Sequence, residues 1–172
     1  MTTVKLKYLI IFIIYAVVSA LIVLVQSTGL ITLQIDTASA VLALPLVIYA
    51  GLYFGEFAGA LIGLILGALS DTYSSTLTYN TIALTVCGFL AGFMIAYFFN
   101  RNVASACVLN IVAAVVFFLI KWLVVYAFSD PVPSFVLFRF MLPTAIYTAV
   151  LGILMYFALN PLLKGIVRPR NN

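Results

Sequence analysis

Long apolar runs separated by short polar knots make up almost the whole chain. The runs cover about 8–26, 39–54, 56–70, 80–99, 103–128 and 135–159. The knots include Gln26, Ser27, Thr28 and Gly29, then Asn100, Arg101 and Asn102, then Ser129, Asp130 and Pro131, and last Asn160 and Pro161. None of the runs alternates in the manner of a barrel strand, so each predicts a membrane helix. The pattern predicts an all-α polytopic membrane protein with six transmembrane helices in one domain. The second and third runs are short, about 23 Å each at 1.5 Å per residue, against a hydrocarbon core of about 30 Å. One long helix over 41–69 is the alternative. The mixed stretch LITLQIDTAS after the first run reads as an interfacial or re-entrant piece.

The second and third runs carry a glycine row at Gly51, Gly55, Gly59, Gly63 and Gly67, and Gly88 and Gly92 follow in the fourth run. Residues four apart share a helix face. Glycines on that face let another helix approach closely, which matters where no hydrophobic force drives helices together. The row is either a surface for a partner or ordinary packing inside the bundle.

Composition sharpens the picture. Of 172 residues 66% are hydrophobic and 7% charged, far below the quarter or so of charged residues in a soluble domain. The first run is too long for a signal-peptide core and no clear cleavage site follows it, so it reads as a retained helix. The net charge of +4 informs topology and does not suggest nucleic acid. Six helices put Lys5, Lys7, Arg101, Lys164, Arg168 and Arg170 on one side and Asp36, Asp71 and Asp130 on the other. Basic residues mark the cytoplasmic side, so both termini are expected there. Glu56 is then the lone acidic residue of the inner side. There is no histidine, which excludes His-based triads and His-ligated metal sites. Cys87 and Cys107 sit in separate runs and read as small core residues. No phosphate loop, metal-ligand spacing or activated nucleophile is present. The expectation is a protein with no cofactor and no enzymatic activity.

Two cations fall within apolar surroundings, Lys121 in the fifth run and Arg139 in the sixth. Intramembrane charges are costly and face a partner or a wet cavity unless they snorkel to the headgroups. Asp71, Asn80, Lys121 and Arg139 are all near the outer side, so they form a candidate polar cluster there. Pro143 cannot donate to the carbonyl of residue 139 and predicts a kink at that point. Tyr73, Tyr79 and Tyr126 on the outer side, with Tyr8 and Tyr97 on the inner, fit an interfacial belt. Tyr15, Tyr147 and Trp122 lie deeper and read as core.

The stretch GLILGALSDTYSSTLTYNTIALTVCGFLAG at 63–92 resembles the rod shape-determining protein MreD family. The shared pattern is a glycine-spaced helix reaching an Asp, a short polar loop, a Leu-Gly pair, an Asn or His, and a helix with a Gly-x-x-x-Gly step. Asp71, Leu77, Asn80, Gly88 and Gly92 fit it, whereas Thr78 stands where glycine is usual. The resemblance implies a non-enzymatic component of the cell-elongation (rod) complex in the bacterial inner membrane. Its expected partner is an MreC-like single-span protein, with MreB filaments and a peptidoglycan polymerase and transpeptidase reached indirectly. The layout also resembles the S-component of energy-coupling-factor transporters, and a vitamin-binding S-component is the alternative function.

Overall fold

The computed structural model describes residues 2–28, 34–35, 38–39, 41–74, 78–98, 103–126, 139 and 141–164. Asp36, Leu77, Arg101, Asp130 and the basic tail beyond Lys164 lie outside the described residues, as do 135–138 at the start of the sixth run.

Among the described residues six α-helices follow in order: α1 Thr2–Ser27, α2 Ala43–Phe54, α3 Glu56–Tyr73, α4 Tyr79–Tyr97, α5 Val103–Lys121 and α6 Leu142–Lys164. A π-helical turn, Trp122–Tyr126, continues α5. Two two-residue strands, Gln34–Ile35 and Ala38–Ser39, pair antiparallel between α1 and α2, Gln34 opposite Ser39. Part of the mixed stretch is therefore a minimal hairpin.

Four of the six helices contain stretches long and apolar enough to cross a membrane: Leu6–Ser27, Tyr79–Tyr97, Val103–Val124 and Leu142–Asn160. Of the six transmembrane helices expected, the second and third, already short in the sequence, are the two without such a stretch. Helix α2 has 12 residues, about 18 Å, and α3 carries Glu56 and Asp71 near its two ends. The remaining boundaries shift for local reasons. Helix α2 begins at Ala43 rather than 39, after Leu42 as its N-cap. Helix α3 runs one turn further than 70, so Asp71 is helical. Helix α6 does not stop at Asn160 but continues through Pro161 to Lys164. Pro143 is the second residue of α6. Arg139 and Met141 just before it are π-helical, so the regular α-helix begins beside the proline and the helical backbone around residue 139 departs from α geometry.

The second and third runs are two helices, not one. Gly55 breaks them at φ 96°, ψ 176°, a backbone conformation that glycine adopts without a Cβ penalty. The chain folds back so sharply there that a methyl at Gly59 would fall 2.8 Å from the Gly51 Cα. Every residue of α2 is buried, as expected of a helix that is apolar all round. The other helices surround it. Their outward faces are exposed and apolar, for example Ile10, Ile14, Val17 and Leu21 on α1 and Ile111, Val112, Val115 and Leu119 on α5. Faces of that size and composition are the lipid-contacting surface of a membrane protein.

Polar side chains fasten α2 on all sides. The Tyr15 hydroxyl of α1 donates to the Leu46 carbonyl at 2.7 Å, and Tyr49 of α2 donates to the Gly152 carbonyl at 2.5 Å. Tyr53 donates to Asn160 Oδ1 at 3.0 Å. At the start of α2 the Val41 N–H donates to Thr148 Oγ1 at 3.1 Å and the Leu42 N–H to Gln26 Oε1 at 3.2 Å. Helix-start donors have no intrahelical acceptor, and in lipid they would have no water either. Helices α1 and α6 supply those acceptors.

Candidate functional site at the turn between α3 and α4

The site begins with an absence of side chains. A methyl at Gly67 would meet the Thr81 Cα, and one at Gly63 the Leu84 carbonyl oxygen. One at Gly51 would fall 2.7 Å from the Gly88 carbonyl oxygen and 2.8 Å from the Gly92 nitrogen. Methyls at Gly88 and Gly92 would strike the backbone at Gly59 and Glu56 respectively. Backbone thus lies on backbone along the contact of α4 with α2 and α3. The glycine row is packed from within the chain. Gly55, with nothing within 4 Å of its would-be Cβ, serves the turn instead.

This close approach brings the last turn of α3 against the first turn of α4. Asp71 Oδ1 accepts the Asn80 N–H at 3.1 Å. Its Oδ2 accepts the Thr81 N–H at 2.8 Å and the Thr81 hydroxyl at 2.6 Å. Asn80 and Thr81 are the second and third residues of α4, where a capping oxygen is ordinarily supplied by the residue just before the helix. Here that residue is Thr78, which makes no capping bond and has φ 44°, ψ 6°. Asp71 takes over the role from the preceding helix, and its negative charge sits at the positive end of the α4 dipole. Asn80 Nδ2 donates to Ser74 Oγ at 3.3 Å, and the Ser74 N–H donates to the Asp71 carbonyl at 3.3 Å. The turn is braced at both ends. Thr78 also occupies the left-handed region that β-branched residues avoid.

Tyr79 is buried, not part of an exposed belt. Its hydroxyl donates to the Phe117 carbonyl at 2.6 Å, and the two rings lie 5.5 Å apart. That bond fixes the start of α4 to α5 one turn before Lys121. Lys121 is half-buried, and the Asp71 charge acts on it. The structure joins Asp71 and Asn80 directly. Arg139, ahead of α6, is exposed. Cys87 and Cys107 are free thiols, both half-buried. Among the described residues no three carboxylate or thiol side chains gather to hold a metal ion. What the arrangement accomplishes is mechanical and electrostatic: it sets three helix ends rigidly and leaves charge at their rim.

The family model of rod shape-determining protein MreD matches residues 3–166. The chain belongs to the MreD family. It is accordingly a multi-pass membrane protein of cell-shape determination, a structural family and not an enzyme family. No curated protein and no solved structure matches the chain, and nothing supports the vitamin-transporter reading. Within this MreD-family chain the motif residues acquire physical roles. Asp71 caps α4, Gly67 admits α4 close enough to be capped, and Thr78 bears a backbone conformation that the family's usual glycine would adopt without strain. Sequence reasoning missed Thr81 and read Tyr79 as a belt residue. Thr81 is ten residues from Asp71 and three after Thr78, the spacing at which a cap is sought, and this was the available signal.

Proposed function

We propose that this chain is a non-enzymatic subunit of the bacterial cell-elongation complex in the inner membrane, with both termini cytoplasmic. In this reading it binds an MreC-like single-span protein. Through that partner it helps organise MreB filaments and a peptidoglycan polymerase and transpeptidase. The family membership carries the reading. The physical support is the cap at Asp71, which fixes the end of α3 to the start of α4 beside the exposed residues Thr72, Tyr73 and Thr78. Helix ends held in this way can meet the extracytoplasmic part of a partner with little further ordering. The glycine row is already filled by the chain's own helices, so a partner's span has to meet an outward face.

The test is mild-detergent purification of the tagged protein from its native membrane, with mass spectrometry of what accompanies it. Recovery of a single-span MreC-like protein is expected. Recovery instead of a coupling subunit with ATPases, or of a bound vitamin, overturns the proposal.

A further inference from the structure

The contact of α5 with α6 contains a polar atom that the fold does not satisfy. Asn110 lies on α5 and is fully buried. Its Nδ2 donates to the Ala149 carbonyl of α6 at 3.0 Å. Its Oδ1 has no hydrogen-bond partner among the described residues. Exchanging the two amide atoms would set an oxygen against the Ala149 carbonyl, acceptor on acceptor. The amide is also held in place, because Gly152 lies so close that a methyl there would strike it. A buried acceptor left unpaired costs about 1–3 kcal/mol, and the lipid around the bundle offers no donor.

The surroundings of Oδ1 identify what it requires. The polar groups at this junction are the Ala149 and Gly152 carbonyls and the Tyr49 hydroxyl of α2, whose proton already goes to Gly152. Apart from the second Nδ2 proton, every spare position there is an acceptor. The Cys107 thiol, one turn before Asn110 and half-buried, is at best a weak donor. A water molecule supplies two protons, and immobilising it costs at most about 2 kcal/mol. A path leads to the place. Asn160, half-exposed towards the end of α6, accepts the Tyr53 hydroxyl at 3.0 Å. Tyr49 is one turn from Tyr53 on α2 and reaches Gly152, which abuts Asn110. Polar groups thus lead from the end of α6 to the middle of the bundle. We propose that Asn110 Oδ1 holds a buried water molecule at the junction of α2, α5 and α6. Its second proton goes to the Tyr49 hydroxyl or to the Gly152 carbonyl.

The experiment is solid-state NMR of the full natural chain in bilayers of deuterated lipid, with asparagine, glycine and isoleucine isotope-labelled. Asn110 and Ile111 form the only Asn-Ile pair of the sequence, which identifies the Asn110 signals. Magnetisation from water should reach the Asn110 side-chain amide at no less than about a tenth of the rate at half-exposed Asn160. Slower transfer means a dry amide and overturns the proposal. No variant enters this measurement, so misfolding cannot imitate either result. A cation is the other occupant that a cluster of acceptors would suit. Replacing sodium by choline at equal ionic strength should leave the Asn110 and Gly152 carbonyl signals where they are. If they move, a cation occupies the acceptors and the proposal falls.

Discussion

The two sides of the bundle hold their helices together by opposite means. Where α4 meets α2 and α3, side chains are removed: Gly51, Gly59, Gly63, Gly67, Gly88 and Gly92 put backbone against backbone. Where α6 meets α2 and α5, polar side chains are added. Tyr49 reaches the Gly152 carbonyl and Asn110 Nδ2 reaches the Ala149 carbonyl at 3.0 Å. Even the glycine on that side serves a side chain, since a methyl at Gly152 would collide with the Asn110 amide. Lipid provides no hydrophobic force between helices, so dispersion and hydrogen bonds must suffice. The difference lies in what each side tolerates. A contact made of backbone cannot move aside for an added atom. A contact made of hydroxyls and amides loses one bond at a time.

The largest effect is expected from adding bulk to the first side. Gly63→Leu should destabilise by about 3 kcal/mol, read as lost monodispersity in detergent size exclusion or a fall in melting temperature. A melt unchanged from the natural chain would show that the helices can slide apart without cost. Next comes the cap. Asp71→Ala strips the acceptor from the N–H groups of Asn80 and Thr81 and should cost about 2 kcal/mol. Asp71→Asn keeps an acceptor oxygen and should lose roughly half as much. Equal losses for the two would make charge, not capping, the main contribution. On the polar side Tyr49→Phe removes one buried bond and should cost about 1 kcal/mol, with the fold intact by circular dichroism. A loss as large as that of Gly63→Leu would erase the distinction between the two sides. Smallest, and of opposite sign, Thr78→Gly should raise stability by roughly 0.5 kcal/mol by relieving the left-handed backbone. A lower melting temperature would mean that the threonine side chain contributes something its exposure hides.

Some of this was legible in the sequence. Glycines at four-residue spacing announce close helix approach, and the two readings of the row differed only in who approaches. That choice depends on α4 folding back through the turn at 74–78, a long-range event that spacing cannot encode. The break at Gly55 was legible as a charge argument, because only two helices bring the basic ends to one side. Its backbone conformation was not, since glycine inside an apolar run reads equally well as a packing residue. Asp71 was recognisable as important, but its role was hidden because its acceptor atoms serve residues nine and ten positions away. Tyr79 looked like a belt residue because tyrosine is amphipathic. Only the nearness of the Phe117 carbonyl decides that it faces inward.

The burial of α2 bears on how the nascent chain enters the membrane. This helix is too short to anchor itself, and it leaves the insertion machinery with only α1 ahead of it. The acceptor for its Val41 N–H is Thr148, 107 residues further along the chain. Until the final helix has been synthesised, Leu42 can find Gln26 on α1 but the Val41 N–H lacks its native acceptor. Completion of translation and closure of the bundle are therefore coupled. A transcript truncated before α6 should yield a chain whose centre is still exposed, a form that membrane proteases can tell from the finished one.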